Sequence, residues 1–472
     1  MAEQTSEALL AMYDDAPLNA RYWVSFAIVA AVLVLDFFDF FLIAFVMSAI
    51  GPEWHLTYGQ GALILYGAGV GAIVGSLVSG SFGDVFGRKT LSVVGTLICG
   101  ICAGSIGLLP TGAWIGLAVL RFLVGFGLAA GVTPVLPMVV EQTPTRWRTG
   151  ITSFFVVFAS AGTLLATFTS ALLLQAFGWR GVAMMGFVAI IVGLLVWAFV
   201  PESARWLTAK GRFTEARDEV AKALGRPRAQ VLLPTVPPTV QPRANLAELY
   251  HNPRLFWQTV LIWGGSSTAV YGYILWGPTI IAMALQLNPA QAAKYFLVIS
   301  ASGVIGKILV SFIAPMMGRR SLGVTFGVAA AAALVLAGYF SGALLSGFPV
   351  FVILTAAAAF FAEGGFSNLA PYTVEQYGVS LGSRSSGLGQ AANGIGKILG
   401  PLALAVLAGS DNIIAPKATE AAVFPAFLFI AVTMLAVALA YLFLGIETHG
   451  QPIALDTEER APRARPGLAA GN

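Results

Sequence analysis

This chain has little of what a water-soluble protein is made from. Charged residues are 10% of its 472 residues, against about a quarter in average soluble domains. Three histidines and two cysteines leave almost no material for a metal cluster or a disulfide scaffold. His55, His251 and His449 all fall in polar connections or the tail, which excludes a histidine proton relay inside an apolar segment. Cys99 and Cys102 form a C-x2-C, but inside an apolar run and with no further ligand near in sequence, so they read as packing. No metal and no resident cofactor is expected. A net charge of +4 follows mostly from how Lys and Arg are distributed between the connections, and a nucleic-acid footprint is the weaker reading of it. The first 22 residues lack the basic, apolar and cleavage-site regions of a removable signal peptide.

What is present is apolar length. Hydrophobic residues make up 57% of the chain and mean hydropathy is +0.82. One bilayer crossing needs about 20 apolar residues. Runs of that order lie at 23–48, 58–81, 90–110, 113–140, 150–174 and 180–200, and again at 257–285, 290–317, 321–342, 348–374, 385–408 and 421–444. The 53 glycines are spread through these runs, as in membrane helices whose backbones approach closely. The spacing of Gly67, Gly71 and Gly75 marks one such close face, not a phosphate loop, since no strand precedes it. The chain reads as an all-α membrane protein with twelve transmembrane helices in two six-helix bundles. A cytoplasmic segment, 1–22, precedes the first bundle, 23–200. A cytoplasmic linker, 201–256, leads to the second bundle, 257–444, and a cytoplasmic tail, 445–472, follows. Most of the 26 Lys and Arg lie in the N-terminal segment, after the even-numbered helices or in the tail, with Arg180, Lys294 and Lys417 on the other side. The positive-inside rule then places both termini in the cytoplasm of an inner-membrane protein.

Several stretches carry a family resemblance. Gly80-Ser81-Phe82-Gly83-Asp84-Val85-Phe86-Gly87-Arg88-Lys89 resembles the loop signature of the major facilitator superfamily, with Val85 where an Arg is usual. Arg121, Gly125, Gly127, Pro134, Pro137, Glu141, Pro144 and Arg148 are similar to the helix 4 pattern of its sugar porters and metabolite:proton symporters. Pro201-Glu202-Ser203-Ala204-Arg205-Trp206-Leu207 resembles the end of helix 6 in the same branch. The second half repeats these marks faintly: Gly318-Arg319-Arg320 without its Asp, then Glu375, Arg384 and Gly387, and Glu447-Thr448-His449-Gly450. Asp36-Phe37-Phe38-Asp39 is similar to the helix 1 signature of aromatic acid:proton symporters. The resemblance implies alternating access between two six-helix halves. It also implies gating roles for Gly80, Asp84, Gly87, Arg88, Lys89, Glu141, Arg148, Glu375 and Arg384.

Charges within apolar runs are costly, so they point to function. Asp36, Asp39, Arg121, Lys307, Glu363 and Lys397 sit well inside such runs. Asp36 and Asp39, three apart, share a helix face. With Arg121, the position that the resemblance sets opposite Asp39, they form the expected proton-coupling group. A purely structural ion pair is the alternative. Lys307 and Lys397 suit an anionic substrate, and Gln390 and Asn393 continue the Lys397 stripe at helical spacing. An oxalate/formate exchanger of the superfamily is similar in placing cations on helices 8 and 11. Either lysine could instead answer to Glu363, which is itself a second candidate proton site. Tyr271, Tyr273 and Trp276, like Phe154, Phe155 and Phe158, could stack on a ring or simply pack. The expected function is proton-coupled symport of a small organic anion (an aromatic acid, a mono- or a dicarboxylate) by a monomer driven by the proton gradient. Anion exchange and proton-linked export are the alternatives. An enzyme would need a nucleophile with a base, or a metal cluster, and the sequence offers neither.

Overall fold

With no water to bond in the bilayer core, a spanning backbone must satisfy itself, and helices do so within one segment. The computed structural model describes residues 6–234, 249, 250 and 252–448, without the side chains of 80–85, 145, 148–150, 153, 156, 311, 315 and 378–384. The side chains of Gly80, Asp84, Arg148 and Arg384, and all of His251 and His449, therefore lie outside the described residues. The long helices are α1 (Ala20–Glu53), α2 (Tyr58–Phe86), α3 (Arg88–Ser105), α4 (Trp114–Val132), α5 (Thr145–Met184), α6 (Val188–Phe199), α7 (Pro253–Ala284), α8 (Pro289–Met317), α9 (Arg319–Tyr339), α10 (Val350–Ser367), α11 (Leu369–Ala408) and α12 (Pro416–Leu439). Among the described residues, ten stretches are apolar and long enough to cross a membrane. The longest, Val157–Phe199, is interrupted at Gly178, where φ is 63° and ψ is −179°, which separates the fifth and sixth segments. The remaining long helix, α7, buries Gln258, Thr259, Ser266 and Ser267, and these polar residues lower its mean hydropathy. The fold is the expected twelve-helix one.

The chain folds into two compact units. The first holds Met1–Pro242, Ile274–Leu297 and Gly409–Thr419; the second holds Arg243–Tyr273, Val298–Ala408 and Glu420–Asn472. Within the first, α2 packs along α4, α1 along α5, and α3 against α4 and α6. The glycine face of α2 explains the closeness of its match to α4. A Cβ on Gly71 would lie 2.0 Å from the Phe122 carbonyl oxygen, and one on Gly125 would lie 1.9 Å from that of Ala68. The start of α2 is also tied to the 409–419 segment. Tyr58 and Gly59 donate backbone bonds to the carbonyls of Asn412 and Ser410, and Ile414 donates to Leu56. The Tyr58 and Thr419 hydroxyls share a hydrogen bond of 2.5 Å.

Part of the polar sequence also folds into helices. Ser6–Asp14 is a helix whose Leu9 and Leu10 pack with Trp206, Leu207 and Val220, while Arg205 clamps Asp14 at 2.7 and 2.8 Å. Ala204–Ala209 and Phe213–Leu224 form two more. In the second unit α9 packs along α10, and a two-residue hairpin, β1 (Leu344–Leu345) and β2 (Phe348–Pro349), joins them.

Candidate functional site

In the first unit the charged centre is built from α1, α3 and α4. Asp39 on α1 is 3% exposed and Arg121 on α4 is 1% exposed. The guanidinium does not fork onto the carboxylate. Its Nη1 donates to the Asp39 carbonyl at 3.3 Å and its Nη2 to the Phe40 carbonyl at 3.4 Å. No ion pair within 4.0 Å joins the two side chains among the described residues, and Arg121 Nε is buried without a hydrogen-bond partner. The Asp39 carboxylate accepts instead from the Cys99 thiol of α3, at 3.4 Å. Cys99, which reads as packing in the sequence, is thus the residue that sequence reasoning misses. No spacing rule links positions on α1 and α3, so nothing along the chain marks it. Asp36, one turn before Asp39, is half-buried and lines a small cavity with Leu35, Thr96, Cys99, Gly127 and Leu128. The paired acids of α1 therefore face one buried cysteine, with Arg121 holding the α1 backbone beside them.

The second unit carries two cationic centres. In one, Lys307 Nζ of α8 lies 2.7 Å from Glu363 Oε2 of α10, and the Tyr273 hydroxyl of α7 donates to Glu363 Oε1 at 3.2 Å. Of the sequence-level alternatives, this geometry is the lysine–glutamate pair. In the other, Lys397 Nζ of α11 stands 5.3 Å from the centroid of the Tyr271 ring, within cation–π range. One turn earlier Asn393 accepts from Ser267 at 2.7 Å and donates to Gln390 at 3.1 Å. The expected stripe of Gln390, Asn393 and Lys397 is thus a connected polar edge, with Gln390 exposed and Asn393 buried. Trp276 belongs to the first unit, where it is fully buried against Tyr58, the ring centroids 5.5 Å apart. Phe155 is buried against Phe26 and Phe154 is exposed.

The positions of the loop signature repeat one construction in both halves. Gly87 has φ +93° and Gly318 has φ +82°, a backbone region that glycine alone enters without strain. Each precedes a helix, α3 or α9, and leaves room for a glutamate from beyond the sixth or twelfth segment. Glu202 accepts from the Lys89 amide at 3.3 Å. Glu447 accepts from the amides of Arg319 and Arg320 at 2.8 and 3.2 Å. A side chain on either glycine would strike that carboxylate. Beside these caps Arg88 pairs with Glu141 and Arg319 with Glu375 at 2.9 Å. The second half, which shows only traces of the motif in sequence, is the same device in space.

Comparison with known proteins agrees with this architecture. Residues 29–343 match the family profile described as Major Facilitator Superfamily. The chain is 24% identical to the niacin transporter NiaP of Acinetobacter baylyi, over 94% of this chain and 98% of that one. It is 29% identical to the 4-hydroxybenzoate transporter PcaK of the same organism, over 47% and 48%. Among solved structures, the inward-open xylose transporter XylE from E. coli superposes with a TM-score of 0.69 at 15% identity, covering 92% of this chain and 98% of that one. At that identity the likeness is one of fold.

Proposed function

Because the chain belongs to the Major Facilitator Superfamily, we propose that it transports a small aromatic carboxylate across the inner membrane, coupled to protons, with both termini in the cytoplasm. The observation that carries this reading is the Lys397–Tyr271 centre with its Asn393–Gln390 edge. A lysine supplies a compact charge for a carboxylate, a ring supplies an apolar face, and the amides supply donors for ring substituents. NiaP and PcaK are named for niacin and 4-hydroxybenzoate, both aromatic monocarboxylates. Asp39 carries the proton: a buried carboxyl whose side-chain contact is a thiol loses little by becoming neutral. Arg121 keeps the α1 backbone placed around it, and the concentration of Lys and Arg beside the even-numbered segments supports the cytoplasmic termini.

Uptake into proteoliposomes tests this, using nicotinate, 4-hydroxybenzoate and a linear dicarboxylate, with and without an inward proton gradient. Gradient-driven accumulation of the two aromatic acids is expected. Equal uptake with the gradient collapsed, stimulated by anion loaded inside, would replace symport with anion exchange. No uptake of any carboxylate would end the reading.

A further inference from the structure

The Lys307–Glu363–Tyr273 cluster holds both a cation that an anion could use and a carboxyl that a proton could use. Glu363 meets each of its neighbours differently. From α7 Tyr273 donates to one carboxylate oxygen, and from α8 Lys307 takes the other at 2.7 Å. Gly303, one turn before Lys307, leaves the space the carboxylate fills, since a Cβ there would lie 2.6 Å from Glu363 Oε1. From α9 Phe326 packs beside Gly364, the residue following Glu363. Of the charged groups of α9, the Arg319 guanidinium is engaged at the first turn with Glu375 and that of Arg320 with the carbonyls of Tyr441 and Leu442, and Lys397 of α11 stands over Tyr271. The Glu363 side chain is 5% exposed and that of Lys307 is 27% exposed, so the lysine is the approachable member of the pair.

We infer that substrate carboxylate and proton are taken up together at this pair: an anion first drawn to Lys397 and Tyr271 passes its one carboxylate to Lys307, displacing Glu363, and Glu363 takes up one proton. The inference rests on the aromatic-anion reading above and deepens it to a second coupling site. The balance is simple. Before binding, one ammonium faces one carboxylate. Afterwards the same ammonium faces the substrate's carboxylate and Glu363 is a neutral acid. No covalent bond between heavy atoms changes, and the site has no net charge in either state. Were the anion to bind without the proton, two carboxylates would share one cation in a low-dielectric interior, where like charges resist coexisting. Electroneutrality thus links the two ligands. Tyr273 acts as a positioning residue, holding the ionised carboxylate on Lys307 until the anion arrives.

The test is binding of nicotinate and 4-hydroxybenzoate to purified full-length protein in weakly buffered solution, with a dye counting protons taken up per anion bound. Glu363→Gln should bind the anion with one proton fewer than the wild type, and its affinity should lose about tenfold per pH unit of pH dependence. Lys307→Gln/Glu363→Gln restores a neutral pair and should bind at least about tenfold more weakly than Glu363→Gln alone. Tyr273→Phe keeps the ring and should raise anion affinity about threefold at fixed pH by loosening the competitor. An unchanged proton count in Glu363→Gln, or wild-type affinity in the double variant, would make the pair structural and overturn the inference while leaving the transport reading intact. Wild-type protein that binds neither acid would overturn both.

Discussion

Replacing Asp39 with Asn should abolish accumulation driven by a proton gradient while anion binding stays measurable, because an amide mimics the protonated acid and cannot release it. Full gradient-driven accumulation in proteoliposomes would remove Asp39 from the cycle. Arg121 should not tolerate Lys. Its two terminal nitrogens reach the carbonyls of Asp39 and Phe40 together, a span that one ammonium cannot bridge. A fall of at least about tenfold in transport rate is the expected reading, and a Lys variant that transports normally would show the two-carbonyl contact to be dispensable. The ionisable residues of both centres stand out in the sequence, because a charge in an apolar run is costly enough to need a reason. Their partners do not. Lys307 has two candidate answers in sequence, an anion or Glu363, and only the rotation of α8 against α10 chooses the carboxylate. Cys99 carries no charge, so it gives no signal at all until α3 is set against α1. Likewise Arg121 is legible as a partner of Asp39, but that it touches the backbone and not the carboxylate depends on where α4 stands along α1.

At the scale of helices, the glycines of α2 are legible from their four-residue spacing, which in an apolar helix means close approach, and Gly125 of α4 meets that face. Gly125→Ala should therefore push α4 off α2, since the added carbon would lie 1.9 Å from the Ala68 carbonyl oxygen. Overpacking of this kind costs typically about 1–3 kcal/mol, occasionally more. Because Arg121 stands one turn away on the same helix, a lower melting temperature in detergent should be matched by lost uptake. Unaltered melting would mean that the helices separate freely. The glutamate caps are less legible. Glu447 lies 128 positions from the amide of Arg319, and no local pattern announces that it folds back onto the start of α9. Glu447→Ala should cost about 1 kcal/mol through loss of an N-terminal cap and its favourable charge, read as a drop in melting temperature. The short helices Ala204–Ala209 and Phe213–Leu224 are hidden in what the sequence presents as a polar linker, since their apolar faces are only a few residues long and take meaning from the Ser6–Asp14 helix packed on them.

For the molecule as a whole, the number and order of spans follow from composition, because a bilayer accepts few alternatives to a long apolar helix. The membership of the two units does not follow, since Ile274–Leu297 and Gly409–Thr419 pack with the first unit although the chain reaches them late. This has a consequence in time. Tyr58 and Thr419, joined by a hydrogen bond, are 361 positions apart, which a ribosome working at about 5–20 residues per second covers in roughly 20–70 s. For nearly all of that interval the amides of Tyr58 and Gly59 have been made but their acceptors, the carbonyls of Asn412 and Ser410, have not. A chain arrested before residue 409 should show rapid hydrogen exchange at these two amides, and the full chain slow exchange. Equal protection in both would mean that the start of α2 is held by something other than the 409–419 segment. The start of the unit synthesised first is thus closed by a segment made up to 361 positions later.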